Sequence, residues 1–345
     1  MPLTYLTHRI HTVHLREPFR ISRGTQTIAQ PVIVTLTADG LTGIGEAAPS
    51  SFYGETTATV LATLEHFGAQ FSYTLGDIQS LHNDLNNALR LNPAAKSAVM
   101  SAAYDLFGKS VGQPLYRLLG LDPQRTPLTS FTIGIAEPEE MARKAGEAQL
   151  YPILKVKVGT DDDIARLTAI RHARPEAIIR VDANGAWTPR QAITMIERLQ
   201  PFDIQFVEQP VAAHDIAGLA WVRDHAPLPI FADESCVTAL DVPRVTSAVD
   251  GIVVKLAKTG GILGALEQIT AARLAGKQTM LGCMIETSVG ITAAAHLSPL
   301  VDYADLDGNL LILDDPFTGV TVKEGKLILP EKPGLGITPR DSEVG

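Results

Sequence analysis

The feature that most constrains this 345-residue chain is a series of charged residues at nearly constant intervals, each ending a short apolar run. The runs LKVKVG, VDANGAW, VEQP, ADES and VVKLAKTGG place Lys157, Asp182, Glu208, Asp233 and Lys255 at separations of 25, 26, 25 and 22 residues. That interval suits one strand, one helix and their loops. If all the strands are parallel, these residues share one end of the sheet, where ligands bind in such folds.

The second half of the chain keeps the same rhythm. Apolar runs at 130–135, 153–158, 177–182, 204–208, 229–233, 251–255, 278–284 and just before Asp305 alternate with helical patterns such as PRQAITMIERL and LGALEQITAARLAG. Eight β segments, mostly followed by helices, favour an α/β fold with a (β/α)8-type (modified TIM) barrel over an open doubly wound sheet. No early glycine fingerprint supports a dinucleotide-binding fold.

The first half reads differently. Residues 1 to about 50 read as antiparallel β, with Asp39-Gly40 as a hairpin turn and EPFRISRGTQT and PSSFYGET as polar irregular stretches. From Thr56 to about Leu121 the pattern is helical, with Val60, Leu64 and Phe67 on one face and Leu81, Leu85 and Leu89 on another. Asn92 and Pro93 read as N-cap and first residue of an Ala- and Ser-rich helix suited to close packing. The tail from Thr318 reads as strand and turn. The expected organisation is an N-terminal α+β capping domain (1–124), the barrel (125–317) and a C-terminal segment that returns to complete the cap (318–345).

A net charge of −9 without a basic run argues against nucleic acid and anionic membranes as partners. No apolar run reaches the roughly 18 residues of a membrane span, and MPLTYLTHRIH lacks the basic region and apolar core of a signal peptide, so a cytoplasmic protein is expected. Cys236 and Cys283 fall in or beside strands and read as small apolar residues.

Asp182, Glu208 and Asp233 end three consecutive strands and converge at the barrel mouth. Three crowded carboxylates repel one another, and a divalent cation is the simplest offset; oxygen-only ligands suit Mg²⁺. Lys155 and Lys157, two apart on a buried strand, point to the same face. Lys255 ends the sixth strand, across the barrel from the second. Lysine bases on both sides of a cation suit removal and return of a proton α to a carboxylate, which inverts the carbon. A Schiff-base aldolase or a non-catalytic metal-binding scaffold leaves the paired lysines unexplained.

In this order and spacing, K-x-K, D-x-N, E-Q-P, D-E-S and K-x-x-K-T-G-G resemble the enolase superfamily, muconate-lactonizing-enzyme subgroup, over essentially the whole chain. The resemblance implies a Mg²⁺ cofactor on Asp182, Glu208 and Asp233, paired bases Lys157 and Lys255, and Lys155 as electrostatic helper. No histidine stands near the end of the seventh strand, which disfavours the histidine-based branch; His296 reads as an ordinary helical residue.

The subgroup includes muconate-type cycloisomerases, N-acylamino acid racemases and dipeptide epimerases. Asp305-Leu306-Asp307 resembles the dipeptide epimerases, where such a pair binds the substrate's α-ammonium. ISRGTQT and GEAAPSSFYGET resemble the capping loops of L-Ala-D/L-Glu epimerases, which implies Arg23 as partner of a glutamate side chain. Thr132 and Met284 complete the expected substrate contacts. The implied activity is two-base proton transfer on a small dipeptide, in the use of murein peptides, by a possible homo-oligomer.

Overall fold

The computed structural model describes residues 5–70 and 73–340; positions 1–4, 71–72 and 341–345 of the expected domains lie outside it. Strand Val32–Ala38 pairs antiparallel with Tyr5–Ile10 on one side and Leu41–Ala47 on the other. Asp39 and Gly40 have φ of 51° and 75°, the left-handed pair that a two-residue hairpin turn needs. Gly43 and Gly45 let this sheet lie directly on helix Pro93–Ser110. A Cβ there would sit 2.1 Å from Ala102 O or 2.0 Å from Ala98 O. Val60, Leu64 and Phe67 of helix Thr57–Gln70, with Leu81 and Leu85 of helix Ile78–Ala88, are buried in the same core. Leu89 lies just past its helix and is half-buried.

Three local expectations need correction. The polar stretch before the Asp39-Gly40 turn is itself the chain's first hairpin: Val13–Ile21 pairs with Gly24–Ala29, with a break in register between His14 and Phe19. Its exposed positions carry Arg, Thr and Gln, so no apolar alternation announces it. Asn92 precedes its helix as expected, but its side chain turns back to Arg90 O, and Glu55 receives the Ala94 N–H at 3.1 and 3.2 Å instead. His296 is a buried joint rather than an ordinary helical residue. Its Nδ1 accepts from Tyr116 N–H at 3.3 Å and its Nε2 donates to Leu335 O at 3.1 Å.

Strands Phe131–Ile133, Ile153–Lys157, Ile178–Asp182, Ile204–Glu208, Ile230–Ala232, Gly251–Val254, Gln278–Leu281 and Tyr303–Ala304 form one parallel sheet in chain order. A parallel bridge from Thr129 to Ala304, with Ser130 N–H donating to Ala304 O at 3.2 Å, brings the eighth strand back to the first. Alternate residues of each strand point inward. Phe206, Phe231, Val253 and Met280 make an apolar floor, with Phe206 and Phe231 stacked at 4.1 Å. Gly251 must be glycine, because a Cβ would meet the Phe231 ring at 2.2 Å. Above the floor the register sets Lys157 beside Asp182 and Asp182 beside Glu208, so the charges stand at one height.

The tail serves both halves of the molecule. Its hairpin, Thr321–Lys323 with Lys326–Ile328, meets the chain entering the barrel, where Thr129 N–H donates to Gly325 O at 2.8 Å. Farther on, Leu335 N–H donates to Asp105 Oδ1 at 2.7 Å on helix Pro93–Ser110. Among the described residues no helix is long and apolar enough to cross a membrane.

Candidate active site

A cavity of about 620 Å³ opens where the first hairpin and the Pro49–Thr57 segment cover the barrel mouth. Lys155, Lys157, Asp233, Lys255, Arg23, Thr132, Met284, Asp305 and Asp307 line it, so nine of the expected site residues face one space. Asp182 and Glu208 lie beneath, fully buried.

Lysines and carboxylates interleave there. Lys155 Nζ lies 2.7 Å from Glu208 Oε2, 2.8 Å from Asp305 Oδ2 and 3.2 Å from Asp182 Oδ2. Lys157 Nζ donates to Asp182 Oδ2 at 2.6 Å, and Lys255 Nζ to Asp233 Oδ2 at 2.7 Å. Lys157 and Lys255 sit on the second and sixth of eight strands, on opposite sides of the barrel.

These contacts decide the protonation states. Burial disfavours the Lys155 ammonium, but Asp305, Glu208 and Asp182 outweigh it and hold the proton well above the usual lysine range. Lys255 follows the same pattern, with Asp233 as the main support. Burial also opposes the Asp182 and Asp233 carboxylates, yet Lys157 and Lys155 on one, and Lys255 and Lys258 on the other, hold both below the usual carboxylate range. Glu208 is the exception. Burial and the charge of Asp182 push it up to about 8, Lys155 notwithstanding.

The carboxylates at the mouth can be set against what a divalent ion requires. Among the described residues no three His, Cys, Asp or Glu side chains stand as a ready-made metal shell, and lysine ammonium groups lie against oxygens of Asp182, Glu208 and Asp233. The chemistry nevertheless fits. Neither Glu208 oxygen has a hydrogen bond, the 2.7 Å approach of Lys155 being a charge contact only. A buried carboxylate with no hydrogen bond and a single ammonium contact, set between two others, is a place that a further positive charge would stabilise, and all the donors there are oxygens suited to Mg²⁺.

At the end of the eighth strand the two aspartates differ. Asp305 is engaged: Ser130 Oγ donates to Oδ1 at 2.5 Å and Lys155 to Oδ2 at 2.8 Å. Asp307 accepts from Thr132 N–H at 2.6 Å, and burial together with the charge of Asp305 pushes it up to about 7. It is the carboxylate of the pair that would gain most from a cationic group. Thr132 thus holds Asp307 through both its backbone N–H and its side chain. Met284 N–H donates to Glu286 Oε1 at 2.8 Å, which leaves the Met284 side chain as its contribution to the cavity. Arg23 Nη1 donates to Asn184 O at 2.8 Å and to Glu234 Oε1 at 2.7 Å.

Several residues of this site escaped the reading of the sequence. Fully buried Lys258 donates to Asp233 Oδ1 at 2.6 Å and to the carbonyls of Asp233, Val253 and Cys236; its signal was the second lysine of K-x-x-K. Asn184 N–H donates to Asp182 Oδ1 at 2.8 Å and its Nδ2 to Glu234 Oε1 at 3.2 Å, so D-x-N and D-E-S join through side chains. Tyr53 lines the cavity, where burial, followed by the charges of Asp233 and Glu234, pushes its hydroxyl far above its usual range.

Comparison with known proteins agrees with this geometry. Residues 137–343 match the family described as "Enolase C-terminal domain-like", and residues 5–120 match "Mandelate racemase / muconate lactonizing enzyme, N-terminal domain". An L-Ala-D/L-amino acid epimerase of Pedosphaera parvula is 42% identical over 92% of this chain and 93% of its own length. An L-Ala-D/L-Glu epimerase of Bacteroides thetaiotaomicron is 41% identical over 98% and 88%. The crystal structure of a dipeptide epimerase from Enterococcus faecalis, complexed with Mg and L-Leu-L-Tyr, superposes with a TM-score of 0.93 at 40% identity, covering 98% of this chain and all of that one.

Proposed function

Because the chain belongs to the mandelate racemase / muconate lactonizing enzyme family of the enolase superfamily, we propose that it is an isomerase that epimerises dipeptides at the α-carbon of the C-terminal residue. One observation carries the reading: buried lysines Lys157 and Lys255 face each other across a carboxylate cluster that a further positive charge would stabilise.

Asp182, Glu208 and Asp233 would hold Mg²⁺. Bound there, the ion would supply positive charge where the substrate carboxylate becomes an enediolate, and would compete with the lysines for carboxylate oxygens. Lys157 and Lys255 do the proton work: one Nζ takes the α-proton from one face while the other returns a proton to the opposite face. Lys155, at the same carboxylates, adds a fixed charge beside the developing enediolate. Asp307, supported by Asp305, receives the substrate ammonium, a group that the acyl substrates of the racemase branch lack. The finer reading is L-Ala-D/L-Glu, with Arg23 on the glutamate side chain as a charge-assisted partner.

The test is α-proton exchange in D₂O with Mg²⁺ present. Lys157→Ala and Lys255→Ala should each lower epimerisation by about 10³-fold or more, while each keeps exchange from a single diastereomer. Equal exchange from both diastereomers in either variant rules out two bases. Asp307→Asn should raise KM for a dipeptide about tenfold or more with a smaller change in kcat.

A further inference from the structure

The turn joining Val13–Ile21 to Gly24–Ala29 is fastened to the barrel by its own side chains. Ser22 Oγ donates to Ala183 O at 3.2 Å, and Arg23 adds its bonds to Asn184 O and Glu234 Oε1. The Arg23 guanidinium also lies over the Phe52 ring, 4.5 Å from its centroid. Among the described residues its hydrogen bonds use only Nη1, which leaves Nε and Nη2 for another partner.

The two ends of this ion pair are not equivalent. The Glu234 side chain is 2% exposed and that of Arg23 36%. Glu234 Oε1 is shared with Asn184 Nδ2, while Oε2 has no partner. Arg23 has solvent and an aromatic face as alternatives; Glu234 has neither. Losing Arg23 would leave a buried carboxylate with a single amide donor, which is strongly unfavourable. Arg23 therefore cannot swing away to meet a substrate, and must serve Glu234 and any incoming carboxylate at once through different nitrogens of its fork.

We propose that Glu234 is a specificity-determining residue: it holds Arg23 in place and offsets its charge, so the side-chain subsite accepts neutral as well as acidic residues at the C-terminal position of the dipeptide. This rests on the epimerase reading above. Opposite charges 2.7 Å apart act on a third charge as a dipole whose field falls off faster than that of a free guanidinium. Phe52 lies under the guanidinium, and Phe19 and Ile21 line the same cavity, so apolar contact is available to a neutral side chain.

The experiment compares deuterium uptake from L-Ala-L-Glu and L-Ala-L-Leu by the Mg²⁺-loaded wild type, Glu234→Gln and Arg23→Gln. Glu234→Gln is expected to raise the kcat/KM preference for Ala-Glu about tenfold, mainly through a lower KM for that substrate. A preference that stays the same or falls overturns the proposal. Arg23→Gln provides an independent arm should the first variant fold poorly. It is expected to lower kcat/KM for both dipeptides and to move their ratio by less than about tenfold, because Glu234 is left unpaired. A drop of about a hundredfold confined to Ala-Glu would mean that Arg23 acts free of Glu234, and overturns the proposal. Wild-type enzyme that takes up deuterium from neither dipeptide overturns the epimerase reading as well; uptake from both with an unchanged ratio in Glu234→Gln overturns this proposal alone.

Discussion

The barrel mouth and the seam where the first 120 residues meet the barrel and tail both bury charged or titratable side chains, but they satisfy them differently. At the seam the partners are largely backbone. Glu46 accepts the N–H groups of Thr287 at 2.9 Å and Gly290 at 3.0 Å, and Asp105 accepts those of Ile44 at 2.8 Å and Leu335 at 2.7 Å. At the mouth the partners are mostly other charged side chains, and both Glu208 oxygens lack a hydrogen bond. Backbone donors cannot move without moving the fold. Side-chain ammonium groups can be displaced by a ligand, so the same cost of burial yields rigidity in one place and exchangeable binding in the other.

This contrast can be broken experimentally. Glu208→Gln should lower activity by about 10³-fold or more while leaving stability without Mg²⁺ unchanged or raised, since it removes a carboxylate that its neighbours repel. Activity assays beside thermal melts in EDTA check this, and a large loss of stability would place the mouth with the seam. Asp105→Ala should do the reverse, costing about 3–4 kcal/mol of stability because Lys109 and two backbone donors lose their acceptor, with kcat of the folded enzyme unchanged. Denaturant titration measures the loss. The smallest effect belongs to His296, which burial pushes down to about 4. Its Nδ1 must stay unprotonated to accept from Tyr116. The unfolded chain takes up the proton first, so this contribution is complete above about pH 6.5 and lost as pH falls toward 4, about 3 kcal/mol in all. His296→Gln should flatten that part of the stability–pH curve; an unaltered curve would remove His296 from the seam.

The mouth was the more legible of the two regions. Lys157, Asp182, Glu208, Asp233 and Lys255 could be placed because a strand end is a local event and its repeat is carried by the chain itself. Seam partners such as Glu46 and Thr287 are 241 residues apart, and no local pattern joins them. Distance in sequence hid Glu234 as a partner of Arg23 in the same way, since the pair spans 211 residues. The first hairpin was lost for another reason. Arg20, Thr25, Gln26 and Thr27 lie on its strands, and a ribbon with few buried positions shows little alternation. Asn92 does hold the N-cap position, with Pro93 next, but the acceptor that serves its helix, Glu55, comes from a loop 39 residues upstream of Ala94 and left no local sign.

The closing bridge from Thr129 to Ala304 bears on how the chain reaches this state. The first and eighth strands meet across 175 residues, and the Ser130–Asp305 bond at the barrel mouth spans the same distance. Most of the parallel sheet can assemble as neighbouring units emerge during synthesis, but the ring cannot close until the eighth strand is made. A ribosome-bound chain stopped before Tyr303 should hold an open, incomplete barrel with an unpaired strand edge. The barrel mouth is therefore complete only near the end of translation.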